Sequence, residues 1–258
     1  MSNDKPPMRG YQSDTYGERI ADLYDRWHGD LDSTDAVAFL AELAGSGPAL
    51  ELGIGTGRIA LPLAARGVEV HGIDSSPAMI DRLRAKDGGD ALHVSQGDFS
   101  AVEVARSDYR LVYVTFNTFW MLLSQDEQVR CFVNVARRLA PDGVFVVEGS
   151  VPDPAALARK EAVDAFRVEV DLAVFDLTMR DTVTQRMDRQ QVIIDKDGFR
   201  LQPLSFRYVW PAEMDLMGRL AGLRLRERFG GWRRESFDGD SEMYVAVYEV
   251  GPPAGGPS

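Results

Sequence analysis

Between residues 49 and 149, five short apolar runs (ALEL, VEVHGID, ALHVSQGD, LVYVTF and VFVVEGS) alternate with stretches of helical periodicity. Strands separated by helices of about 10 to 15 residues are the mark of βαβ units, and such units pair parallel strands into a sheet buried on both faces. This alternation restricts the half-chain to a doubly wound α/β core. Its first strand-to-helix turn, ELGIGTGR, carries Gly53, Gly55 and Gly57 at alternate positions. A dinucleotide fingerprint would need G-x-G-x-x-G, with glycines letting the backbone approach a pyrophosphate at a helix N-terminus. Here Arg58 stands where the third glycine belongs, and Glu51 before the turn would repel a phosphate and attract a cation. The glycines alone leave a ligand-free tight turn, a dinucleotide and a cationic ligand open.

The flanking sequence adds an organisation. Tyr16, Ile20, Leu23, Tyr24 and Trp27 share one face of an amino-terminal helix, unusually aromatic. STDAVAFLAELAG reads as a second helix closed by Gly45, SSPAMIDRLRAK as a serine-capped helix with Pro77 at its start, and Ser124 with Glu127 as a capping box for a helix through Leu139. After the junction VPDPAAL the texture changes. FRVEVDLAVFD, LTMRDTVTQRMDRQQVIID and FRLQPLSFRYVW read as antiparallel strands with DKDG, 195–198, as a turn. A helix from Pro211 to Gly222 and the strands LRLRERFGG and EMYVAVYEV then return to the main sheet. The divisions are 1–47, an amino-terminal helical lid; 48–151, a ligand-binding core; 152–210, an antiparallel insertion; 211–250, a last helix and two core strands; and 251–258, a disordered tail. The opening ten residues read as similarly loose.

With 40 acidic against 29 basic residues the net charge is -11, and neither half is basic, which disfavours a nucleic-acid partner. Cys131 is the single cysteine and reads as a buried small hydrophobe, so neither a disulfide framework nor a metal site is expected. No run approaches the roughly 20 apolar residues of a membrane span, and the first residues lack a signal-peptide core. A cytoplasmic location without membrane attachment is the expectation.

Residues 40–150 resemble the class I S-adenosylmethionine-dependent methyltransferases, whose first motif places an acidic residue before G-x-G-x-G, as LELGIGTGR does. The resemblance implies a mostly parallel, Rossmann-like seven-stranded sheet, with the antiparallel insertion as a cap, and S-adenosyl-L-methionine as cofactor, leaving S-adenosyl-L-homocysteine. It places Glu51 and Gly53 at the methionine end, with Gly55, Thr56 and Gly57 shaping the turn. Asp74 takes the ribose, with Ser75 beside it in the cofactor set, Met79 covers the adenine, and Asp98 with Phe99 reads its edge. Tyr16 and Phe116 complete the cofactor set. In FNTFWML, Asn117 and Trp120 meet the methyl group, and Glu148, after the fifth strand, joins them as a catalytic residue. Acceptor contacts are Tyr24, Trp27, Phe119, Arg207, Tyr208 and Trp232. Arg58 pairs with the cofactor carboxylate or with a surface acid, the latter favoured. His28 reads as solvated, and His71 and His93 as structural.

FRYVWPAEMDLMGRLAGL with the later GGW narrows the resemblance to bacterial small-molecule enzymes, related in outline to sugar N-methyltransferases. The implied activity is methyl transfer to N or O of a small molecule by direct displacement, driven by proximity and orientation. The absence of a His/acid dyad leans towards N or a phenol of low pKa. The alternatives are an S-adenosylmethionine-binding protein without methyl transfer, regulatory or cyclase-like, and more remotely a nicotinamide oxidoreductase. The chain is read as a monomer or homodimer, the insertion being an alternative dimer surface.

Overall fold

The computed structural model describes residues 8–251; the first seven residues and most of the tail lie outside it, so the two readings made there are not addressed. Five strands, β1 (Ala49–Leu52), β2 (Val70–Asp74), β3 (His93–Gln96), β4 (Tyr109–Val114) and β5 (Leu139–Ser150), run parallel. Four more, β6 (Glu161–Glu169), β7 (Leu172–Asp181), β8 (Arg186–Asp195) and β9 (Gly198–Arg207), form a separate antiparallel sheet. β10 (Leu223–Phe229) and β11 (Met243–Val250) return to the first sheet, giving the order β10-β11-β5-β4-β1-β2-β3, with β11 antiparallel to both neighbours. The seven-stranded sheet with an antiparallel insertion is the architecture expected from the sequence.

The continuous apolar runs are explained by burial on both faces. Leu50, Leu52, Val112, Val114 and Phe145 meet Cys131 and Phe132 of α5 (Gln125–Ala136) on one side. Ala49, Leu111, Tyr113 and Val146 meet α2 (Thr34–Ala44) and α3 (Ala60–Ala65) on the other. Each such large side chain contributes about 1.5–3 kcal/mol. α5 starts at the expected capping box, Ser124 Oγ accepting from Glu127 N and Glu127 returning to Ser124 N, and ends one turn short of Leu139.

The amino-terminal pair of helices does not act as one unit. α2 is a core helix, with Val37, Phe39 and Leu40 buried, whereas α1 (Thr15–His28) lies over the carboxyl edge of the sheet, against β9 and α4 (Pro77–Arg84). Three acids of α1 fasten it there. Glu18 accepts from Ser76 Oγ at 2.7 Å and Ala78 N at 2.9 Å, Asp22 pairs with Arg82, and Asp25 accepts from Thr56 Oγ1 at 2.6 Å and Lys86 Nζ at 2.8 Å. α6 (Pro154–Leu157) and α7 (Pro211–Leu220) flank the insertion.

Two further hairpin turns interrupt runs read as single strands. FRVEVDLAVFD folds back at Val170–Asp171, between the paired Glu169 and Leu172, and the next run turns at 182–185, where Gln185 has φ +58°. Neither turn holds a glycine or proline. The turn at 195–198 is as read, Asp195 pairing with Gly198 at φ +132°.

Candidate active site

The carboxyl ends of β1, β2 and β3 and the buried face of α1 border a cleft. Tyr16, Gly53, Gly55, Asp74, Ser75, Met79, Asp98 and Phe99 line it, joined by Ser13, Gly17, Tyr24, Ser76, Thr118 and Met121. Its wall holds two aspartates and no lysine or arginine, which suits hydroxyl and cationic groups and opposes a pyrophosphate. Gly53, at φ +71°, brings the backbone so close to Thr118 that an added Cβ would lie 2.5 Å from Thr118 Cγ2. Only glycine leaves the cleft open at that point.

Asp74 is half-buried and shaped from behind. Its Oδ2 accepts from Gly55 N at 2.7 Å and its Oδ1 from Ser76 N at 2.9 Å. Burial raises its pKa, while the amides of Ser76, Gly55 and Ser75 oppose the shift. Asp98 stands two residues beyond the end of β3 rather than closing it, and both its oxygens accept from Ser100, at N and Oγ.

Three residues of the glycine motif lie under the turn and not on the cleft wall. Glu51 is fully enclosed, accepts from Tyr113 Oη at 3.0 Å, and burial pushes its pKa up to about 8. Thr56 donates to Asp25 of α1. Gly57, at φ +81°, is packed against Leu83, whose Cδ1 would be 2.3 Å from a Cβ. The motif therefore fixes the turn and α1 more than it touches a ligand.

A second, larger cavity of about 390 Å³ opens beside the first and shares Tyr16, Tyr24, Thr118 and Met121 with it. Trp27, Asn117 and Trp120 line this second cavity as expected for an acceptor site. Phe116 lines it too, and not the cofactor cleft where the sequence placed it. The far wall is the inner face of the insertion, contributing Met187, Arg189 and Gln191 from β8 and Gln202, Leu204 and Phe206 from β9. These residues alternate in sequence because strand side chains have a period of two.

His28 also lines this cavity, its ring 4.9 Å from Tyr24 and 5.4 Å from Phe116. Burial first, then Arg58 and Arg189, lower its pKa, so the imidazole is neutral at pH 7. This corrects the solvated reading of His28. Among the described residues Arg58 pairs with no surface acid; its side chain hydrogen-bonds Tyr24, and its guanidinium lies 5.0 Å from the centre of the Phe116 ring. Tyr16 and Tyr24 are held as neutral phenols by burial.

Other expected contacts fall elsewhere. Arg207 is buried in a polar network with Glu213 at 2.7 Å and with Gln128 and Gln185. Tyr208 packs between Trp120 and Trp210, Phe119 against Phe132 in the core, and Trp232 against Phe39 of α2. Glu148 lies within β5, not after it, and its Oε2 accepts from Phe116 N at 2.7 Å. Asn117, at φ +61°, is clamped to Ser150, its Oδ1 accepting from Ser150 N at 2.6 Å. Both side chains hold the 116–121 loop in place.

An open α/β sheet with a cleft at its carboxyl edge, an acidic wall and an adjoining cavity has room for two ligands side by side. Residues 49–143 match the model of a methyltransferase domain. Cypemycin N-terminal methyltransferase from Streptomyces sp is 30% identical over 207 residues, 78% of this chain and 82% of that protein. The solved CcbJ methyltransferase from Streptomyces caelestis is 38% identical, with TM-score 0.88, over 94% of this chain and 100% of that one. CalS10, an amino pentose methyltransferase from Micromonospora echinaspora solved with S-adenosylmethionine bound, shares the fold at 21% identity and TM-score 0.58, over 93% of this chain and 92% of that one. The chain belongs to the class I S-adenosylmethionine-dependent methyltransferases, in their bacterial small-molecule branch. Among the described residues no helix is long and apolar enough to cross a membrane.

Proposed function

We propose that this methyltransferase methylates a nitrogen atom of a small amine. The observation that carries the reading is the junction of the two cavities at Tyr16, Tyr24, Thr118 and Met121, which lets an acceptor in the second cavity face a methyl donor in the first. When bound, S-adenosylmethionine supplies an electrophilic methyl group that the acceptor's lone pair takes up. Asp74 accepts hydrogen bonds from the ribose hydroxyls, Ser75 adjoins them, and Asp98 and Phe99 flank the adenine with Met79 against its face. Gly53 permits close approach of the methionine end, and Arg58, beside Tyr24 and Phe116, receives its carboxylate. Trp27, Phe116 and Trp120 exclude water, while Asn117 and Glu148 position their loop.

A protonated amine has no lone pair to give. A neutral amine needs no strong base, only alignment, which contributes about 7–11 kcal/mol in well-oriented reactions. The product leaves as the methylated ammonium or gives its proton to solvent on release. The named target of the cypemycin relative, an amino terminus, is in keeping with this chemistry.

The test is incubation with methyl-13C-labelled S-adenosylmethionine and matched pairs of secondary amines and phenols that fit the cavity, followed by carbon–proton correlation spectra. The expected result is an N-methyl signal. An O-methyl signal alone, or no transfer while the cofactor binds, overturns the assignment.

A further inference from the structure

We infer that the insertion wall of the second cavity carries a recognition subsite, built from Arg189 and Gln202, for an uncharged group of the acceptor that both accepts and donates a hydrogen bond, a hydroxyl or an amide. The inference rests on the reading of that cavity as the acceptor site. Most of the lining is aromatic or apolar, including Trp27, Phe116 and Trp120 from the core side and Leu204 and Phe206 from the insertion. The insertion also supplies Arg189, Gln191 and Gln202. In the strand register Asp176, Gln191 and Gln202 are neighbours in one row, and Arg189 stands opposite Leu204 in the next. Arg189 and Gln202 are therefore diagonal neighbours, about 7–8 Å apart, and both side chains are long enough to reach one small group.

Two atoms of this subsite are buried and unpaired. Gln202 is 6% exposed, and among the described residues no donor reaches its Oε1; Arg189 Nε likewise meets no acceptor. Buried polar atoms are normally hydrogen-bonded, so an orphan acceptor and an orphan donor on one cavity wall point to a ligand group. The rest of the guanidinium is held in place. Its Nη1 lies 3.5 Å from Asp176 Oδ2, and its carbon lies 5.6 Å from the centre of the Phe206 ring. Asp176 also accepts from Gln191 Nε2 at 3.0 Å.

These contacts select the chemistry of the group. The arginine N–H needs an acceptor and the glutamine oxygen needs a donor, and a hydroxyl or an amide meets both needs at once. A carboxylate meets only the first, and its charge would face Asp176, which already offsets Arg189, and the oxygen of Gln202. A methyl group meets neither and leaves both atoms unpaired. A site built to pair buried polar groups rejects an analogue that lacks the matching group more strongly than an apolar pocket rejects an added one. Neither Arg189 nor Gln202 lines the junction of the two cavities, so they set acceptor choice away from the reacting atom.

Ligand-observed NMR titration of the full chain loaded with S-adenosylhomocysteine tests it, using four benzylamines that differ at the para position: carboxamide, hydroxymethyl, carboxylate and methyl. Binding is read without turnover, so the result is separate from which atom is methylated; N-methylation alongside a flat panel would leave that reading standing and overturn this one. The carboxamide or the hydroxymethyl compound is expected to bind at least tenfold more tightly than the methyl and carboxylate compounds, the two arms showing which group the subsite takes. Gln202→Leu and Arg189→Met should each abolish that preference while keeping the affinity for the methyl compound, with circular dichroism checking the fold. Asp176→Asn should raise the affinity for the carboxylate compound, an effect that loss of a merely structural contact would not produce. Equal binding of all four, binding of none, a carboxylate preference in the wild-type chain, a preference that survives both substitutions, or no carboxylate gain in Asp176→Asn overturns the inference.

Discussion

Replacing Asp74 by asparagine removes one charge from the cleft and little volume. In the wild-type protein the carboxylate already accepts from Gly55 N at 2.7 Å and Ser76 N at 2.9 Å, which orients it with lone pairs left for a ligand. Hydrogen bonds to a charged group contribute about 1.5–3 kcal/mol each, so two from ribose hydroxyls are worth about 3–6 kcal/mol. Asparagine keeps one acceptor oxygen, and the net loss should be about 3 kcal/mol, a weakening of about two orders of magnitude in Kd. Its amide NH2 must also face one of the two backbone N–H groups, which costs about 1–3 kcal/mol of stability. Calorimetric titration with S-adenosylhomocysteine reads the first effect and thermal denaturation without ligand reads the second. A variant that binds within threefold of wild type would refute the ribose role, and one that binds weakly only because it is unfolded would be exposed by its melting curve.

Gly53→Ala forces a Cβ to 2.5 Å from Thr118 Cγ2 at a φ of +71°, so cofactor affinity should fall at least tenfold by calorimetry, with partial recovery in the double variant that also carries Thr118→Ser. For Glu51, the folded pKa of about 8 exceeds that of the unfolded chain. The stability associated with its neutral form is complete below the ordinary carboxylate pKa and is lost as pH rises towards 8. Glu51→Gln should therefore match wild type at pH 5 and exceed it at pH 9, by up to about 4 kcal/mol, in urea denaturation; equal stability at both pH values contradicts the burial argument. Arg207→Met removes one partner of the buried pair with Glu213 and should cost about 3–5 kcal/mol of stability, leaving the acceptor KM unchanged.

Much of the lining of the first cleft was legible because its residues sit at or near strand ends, and strand ends follow from periodicity. Asp74 and Met79 could be placed from the strand VEVHGID and the capped helix after it, and both line the cleft. Thr118 and Met121 were missed because they look like any loop and short helical turn. Glu51 was read correctly as an acid at the turn but wrongly as a cleft contact, since position along a strand does not say whether a side chain lies above or beneath the loop. The acceptor side was less legible. Arg207 and Arg189 are both strand arginines, and the difference between a buried network and a cavity wall is one of register parity: Gln202, Leu204 and Phe206 face inward, so Arg207 cannot. That parity depends on hairpin turns at Val170–Asp171 and 182–185 that no glycine or proline announces.

The most direct measurement is a crystal structure with sinefungin, whose amine stands where the transferable methyl lies. The predicted result is ribose hydroxyls on Asp74, adenine beside Phe99 and Met79, and the sinefungin amine at the mouth between Tyr16, Tyr24, Thr118 and Met121, facing the larger cavity. A ligand bound in the reverse sense, with adenine at that mouth, would contradict the account.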